Sequence, residues 1–178
     1  MSILKDPVTS DDHTQGDKHA AITLVEYGDF ECIHCKNAYF VIKKIQQYFD
    51  KQLRFVFRHF PLTEVHPYAE IAAETTEFAS IHERFWEMHD LIYEKQDNLS
   101  GPMLLEDLEV LNLPAADLEK VLEKKIYEPK IRKDFIGGVR SGVNGTPTLF
   151  INEHRYNGAV EFDELKAVID AILTNAQG

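Results

Sequence analysis

A chain of 178 residues is long enough for one domain with a full core and an insertion, and too short for two ordinary domains. Its 44% apolar and 28% charged content is that of a folded globular protein, and no apolar run approaches the roughly 20 residues that span a bilayer. The formal net charge of −11 disfavours nucleic acid, whose phosphates need clustered Lys and Arg, and gives no support to an anionic membrane surface.

The start, Met1-Ser2-Ile3-Leu4-Lys5-Asp6-Pro7, lacks the basic stretch and apolar core of a secretory signal. This predicts a cytoplasmic protein if Met1 is the natural start, and a periplasmic one if a signal was trimmed. Residues 1–20 are polar and without period, and read as an extended lead-in. A strand is expected at about 21–28, then a helix from about Cys32 to Asp50, with Ala38, Val41, Ile42, Ile45, Tyr48 and Phe49 at helical spacing. The aromatic and β-branched run Leu53 to Phe60 is a second strand, ended by Pro61, so the first sixty residues make a βαβ unit.

Residues 62–140 carry no strand signal. Helices are expected from Pro67 to about Ser80, from Glu83 to Lys95 (Phe85, Trp86, His89, Ile92 and Tyr93 inward), around Leu104–Leu111, and after Pro114 and Pro129. Gly142 to Pro147 reads as a loop and Thr148-Leu149-Phe150-Ile151 as a strand. Asn157-Gly158 reads as a turn near the end of its partner strand, and the last helix carries Phe162, Leu165, Val168, Ile169, Ile172 and Leu173. The order βαβ, helices, ββα describes an α/β domain at 21–61 and 141–178 with a helical insertion at 62–140.

The only cysteines are Cys32 and Cys35, in Cys32-Ile33-His34-Cys35 just after the first strand. A disulfide between them closes a loop too small to constrain an unfolded chain much, so the pair suits thiol chemistry better than stapling. Cys32 at a helix mouth is favoured as the thiolate by backbone N–H groups and the helix dipole. Cys35, one turn in, is expected to be more buried. A structural zinc is disfavoured, because there is no second cysteine pair and no His pair at finger spacing.

Glu26 is a carboxylate in an otherwise apolar strand, where burial would raise its pKa and make it a proton carrier. Pro147 stands directly ahead of an apolar strand and marks a special turn, whose Thr146–Pro147 isomer the residues leave open. His34 as an imidazolium would stabilise the Cys32 thiolate and make the couple more oxidising. Asp29 and Glu31 place negative charge close by and work the other way. His59, His66 and His89 read as structural or surface residues.

From Val25 to Cys35, and again from Ser141 to Thr148, the chain resembles the DsbA-like branch of the thioredoxin superfamily. The likeness runs from about residue 11 to 174, helical insertion included, and a similar domain occurs as a tail on some sodium/proton antiporters. The resemblance implies a thioredoxin-like fold with a helical insertion. It implies a nucleophile at Cys32, exposed in the family, a resolving thiol at Cys35 and a buried acid at Glu26. It also implies a cis-proline at Pro147, with Thr146 binding substrate beside it. Many relatives have Pro where Ile33 stands, so a strong oxidant is not assumed, although His34 matches the strongly oxidising members.

The expected activity is thiol–disulfide exchange with protein or peptide thiols and disulfides, together with a redox partner, and without metal or organic cofactor. In a reducing cytoplasm it would run as a reductase or redox partner rather than as a net oxidase. The alternative is a non-enzymatic binding or regulatory module that holds an extended peptide beside Pro147.

Overall fold

The runs Ile22–Gly28 (β2) and Leu53–His59 (β3) are buried on both faces apart from Thr23 and Arg54, the pattern of strands covered on each side. In the computed structural model of the chain, which describes residues 2–175, they pair in parallel at the centre of one sheet. Parallel neighbours need a crossover. Ile33–Phe49 (α1) supplies it, burying Cys35, Ala38, Tyr39, Ile42, Ile45 and Phe49.

Thr148–Ile151 (β4) lies antiparallel on the other side of β2, setting Leu149 opposite Glu26 and Thr148 opposite Tyr27. Two edges complete the sheet. His13–Gln15 (β1) pairs antiparallel with β3, and His154–Arg155 (β5) pairs antiparallel with β4, giving the order β1-β3-β2-β4-β5.

Five helices lie between β3 and β4: Ala69–Ser80 (α2), Phe85–Glu94 (α3), Gly101–Val110 (α4), Leu118–Glu123 (α5) and Glu128–Arg140 (α6). The small stripe of α2 (Ala69, Ala72, Ala73, Thr76, Ala79) is buried. Ser100 caps α4, its Oγ accepting from Met103 N at 3.3 Å. Phe162–Asn175 (α7) closes the chain, burying Leu165 and Ile169. The main apolar cluster runs continuously from the sheet and α1 into the inserted helices. The fold is a mixed α/β, DsbA-like thioredoxin fold.

Two polar clusters fix the lead-in. Arg58 of β3 uses all five N–H donors: Nε and Nη2 to the two Asp12 oxygens (2.7 and 3.0 Å), Nη1 to Asp6 O and Tyr27 OH, and Nη2 to Pro7 O. Glu77 of α2 presents one oxygen to His13 Nε2 at 2.7 Å and His59 Nε2 at 2.8 Å, joining the inserted helices to β1 and β3. Burial opposes the Glu77 anion, but the two imidazoles outweigh it and hold its carboxyl well below the usual range.

The stretch 1–20, read from sequence as a lead-in, therefore contributes a sheet strand. Three residues are too few to show alternation, and β1 is identified by what it pairs with. The tight hairpin turn is Asn152-Glu153, both at positive φ (44° and 72°), which joins β4 to a two-residue partner. Gly158 bends the chain beyond that partner. The first helix starts at Ile33, with Cys32 as its N-cap.

Glu77→Gln should lower stability at pH 7 by about 1.5–3 kcal/mol, the usual worth of a hydrogen bond to a charged group. A carboxylate held below its ordinary 4.5 stabilises the fold above that pH and stops doing so as acid protonates it. Urea unfolding of the two proteins should thus differ most at neutral pH, and the difference should shrink below pH 4.5.

Candidate active site

The end of β2 and the mouth of α1 are joined by Asp29-Phe30-Glu31. Cys32 holds extended backbone (φ −75°, ψ 120°) and its carbonyl accepts from Cys35 N and Lys36 N, so its sulfur stands at the N-terminal end of the helix. Both cysteines are free thiols.

Hydrogen bonding from the Cys35 thiol lowers the Cys32 pKa to about 5, against the opposing effect of burial. The Thr146 side chain and the backbone N–H groups of Cys35 and His34 act in the same direction. Cys35 moves the other way: burial pushes its thiol well above 9, and Cys32 and the charge of Glu26 add to the rise. Asp29 N–H donates to the Cys35 sulfur at 3.4 Å.

Cys32, expected to be exposed, is only 5% accessible, while Cys35 is fully covered. The loop ahead of β4 lies against it. Thr146–Pro147 is cis, Cys32 Sγ donates to the Thr146 carbonyl at 3.4 Å, and the buried Thr146 hydroxyl has no other partner. That hydroxyl is free to serve a thiolate.

Glu26 sits in the central strand, 1% accessible, with Oε1 unpartnered. Burial, then the negative charge at Cys32, raise its pKa to about 8. The strand is closely packed here. A Cβ on Gly28 would come within 2.5 Å of the Phe57 ring and 3.2 Å of Glu26 Oε1, so only glycine fits.

His34 is brought to the site by its backbone, whose N–H points at Cys32, while its ring is exposed. The geometry gives no direct role to that ring.

Asp29 and Glu31, whose charge the sequence set against the thiolate, are both captured. Asp29 accepts from Glu31 N, Leu62 N and His66 Nδ1, each at 2.8 Å, and Glu31 accepts from Tyr68 N at 2.6 Å. The insertion grips the loop a second time through Gln96, whose Nε2 donates to Phe30 O at 2.7 Å and Cys32 O at 3.0 Å, and through Tyr93, whose hydroxyl donates to Asp29 O. Nothing local in the sequence marks Gln96 or Tyr93. His66 had only the weak signal of standing before a proline.

Among the described residues one group has the atoms for a metal, His13, His59 and Glu77. The buried Nδ1 of His59 has no partner. A metal on Nε2 would force the proton onto Nδ1 and leave a buried donor unmet, whereas metal-bound imidazoles almost always donate that N–H. With Nε2–H donating to Glu77 only a bare lone pair is left, which fits a hydrogen-bonded cluster.

A family model described as thioredoxin matches residues 8–171. A sodium/proton antiporter NhaA 1 of Salinispora arenicola is 40% identical over 92% of this chain, which spans only 25% of that relative. Among solved structures, oxidised BdbD of Bacillus subtilis matches with a TM-score of 0.85 at 22% identity, covering 97% of this chain and 98% of that one. Alpha-DsbA1 of Wolbachia pipientis matches with a TM-score of 0.83 at 23% identity, covering 97% and 96%. No helix of the described residues is long and apolar enough to cross a membrane.

Iodoacetamide at pH 6 should alkylate Cys32 well before Cys35, read by peptide mass spectrometry, because only Cys32 is a thiolate there. Equal labelling would remove the distinction between the two thiols.

Proposed function

The chain belongs to the thioredoxin family, and from that premise we propose that it is a DsbA-like thiol–disulfide oxidoreductase acting on protein or peptide substrates. The observation that carries the reading is the opposite displacement of two neighbouring thiols, one to about 5 and the other far above 9. A nucleophile that is ionised at neutral pH and a resolving thiol that stays protonated until needed are the two parts a dithiol exchange requires. The antiporter name describes proteins of which this chain spans a quarter, and ion exchange is not carried over.

In the reducing direction, the Cys32 thiolate attacks one sulfur of a substrate disulfide. A Cys32–substrate disulfide forms and the other substrate sulfur leaves as a thiolate. The cis Thr146–Pro147 segment lies beside this sulfur and offers backbone groups to an extended substrate. Loss of the Cys32 charge removes one of the two causes that hold Glu26 protonated. Glu26 then loses its own proton to solvent more readily, and as the carboxylate takes the proton of Cys35. The Cys35 thiolate attacks Cys32, closes the internal disulfide and releases the substrate thiolate. Two electrons pass to the substrate, and a redox partner restores the dithiol. The oxidising direction is the reverse sequence. A Cys32 thiolate held this strongly favours the reduced protein, which makes the couple more oxidising than an unperturbed dithiol.

Reduction of a model protein disulfide by dithiothreitol should be accelerated by the wild type and fall to background in Cys32→Ser. Cys35→Ser should accumulate a mixed disulfide. A wild type that gives no acceleration over background would favour the peptide-binding module instead. Glu26→Gln should slow the attack of Cys35 on a preformed mixed disulfide by about 100-fold at pH 7, the range of a lost general base. In the wild type that step should rise with pH to a plateau at or below about 8, where Glu26 ionises. In the variant it should keep rising.

A further inference from the structure

His66 stands outside the cysteine motif, on the segment that leads from β3 into the inserted helices. Among the described residues its ring has one polar partner, the Oδ2 of Asp29, at 2.8 Å. The Asp29 side chain is fully buried, and its own backbone holds both cysteines, accepting from Cys32 N and donating to Cys35 Sγ. A bare carboxylate in that place would oppose the Cys32 thiolate through a medium of low dielectric. The two N–H groups that also reach it, from Glu31 and Leu62, are dipoles and do not cancel its charge.

We propose that His66 is a positioning residue for the reaction, whose imidazolium neutralises Asp29 and so keeps the Cys32 thiolate available. The inference rests on the thiol-exchange reading above.

His66 remains in contact with water, 23% exposed at its side chain, so it can exchange its proton with solvent. The titratable groups facing it are Asp29, Cys32 and Glu31. Burial works against its charged form, but the hydrogen bond and charge of Asp29, with the negative charges of Cys32 and Glu31, outweigh that and hold its pKa above the ordinary value. The coupling is reciprocal: whatever His66 does for Cys32 ionisation, Cys32 ionisation does for His66. Its size is bounded, because the Cys35 thiol, Thr146 and backbone N–H groups carry most of the Cys32 displacement.

The variant His66→Asn puts an amide N–H where Nδ1 stood and removes the charge. Thiolate absorbance at 240 nm, titrated on the reduced protein, should show the Cys32 midpoint raised by about one pH unit, a tenfold loss of thiolate in acid. Equilibration with glutathione should move by up to tenfold toward the disulfide, about 30 mV for a two-electron couple. His66→Asn in an Asp29→Asn background should no longer raise the midpoint, because the charge it balances is gone.

An Asn variant that folds with an unchanged midpoint overturns the proposal, as does the same rise in both backgrounds. Should the variants not fold, the native protein decides. The assigned ring C–H resonance of His66 should titrate at lower pH in the disulfide form than in the dithiol form, and identical midpoints overturn the proposal. These readouts need no substrate. A failed substrate assay with a shifted Cys32 midpoint would sink the oxidoreductase reading and leave this coupling standing.

Discussion

Asp29 is the residue on which the reactive loop and the inserted helices meet. Its carboxylate takes N–H groups from Glu31, Leu62 and His66, its carbonyl takes Cys32 N and the Tyr93 hydroxyl, and its own N–H goes to Cys35. Hydrogen bonds to a charged group are worth about 1.5–3 kcal/mol each, and removing the acceptor leaves several buried donors unmet. Asp29 thus fixes where α1 begins relative to β2, and therefore how the N–H groups of the first turn bear on the Cys32 sulfur. The helical block holds the loop at its entry through Leu62 and His66, and at its far end through Gln96. The arrangement conflicts with the thiolate, since it needs a negative group where a second one must form. The structure meets that conflict by putting donors and a cation on Asp29.

The chain wrote its central features locally. Strand β2 is a continuous apolar run, α1 has helical spacing, and the cysteine pair falls where the two join. Glu26 stood out because a carboxylate inside such a run has nowhere to go but the core, and Pro147 because it precedes a strand. What was not legible depends on partners far along the chain. β1 is a strand only because His13, Thr14 and Gln15 meet Phe57, Val56 and Phe55 of β3. The Asn152-Glu153 turn carries no glycine to announce its positive φ values. Nothing in the strand's own pattern marks Arg58, whose five bonds go to Tyr27 and to a lead-in with no periodic signal. Asp29 and Glu31 were visible as charges, but whether they opposed the thiolate could be ranked only once Leu62, His66 and Tyr68 were seen to hold them. His34 shows the reverse error of emphasis: its place between the cysteines drew attention to the ring, whereas the backbone N–H is what faces Cys32.

Electrostatics at the site reduces to how many negative charges one small volume will hold. Cys32 as thiolate, Cys35 as thiolate and Glu26 as carboxylate compete for it, and the last two are buried away from water. Like charges at such separations in a low dielectric cannot all form, so ionisation of one suppresses the others. With Cys32 ionised, Glu26 and Cys35 keep their protons. Once Cys32 is bonded to another sulfur, its charge leaves with the departing substrate thiolate, and the volume can accept a new one: Glu26 ionises and takes the proton of Cys35. The resolving thiol therefore becomes reactive only after the first bond has formed. Placing Cys32 at the N-cap and Cys35 one turn deeper, with the buried Glu26 within reach of both charges, is what couples the two steps.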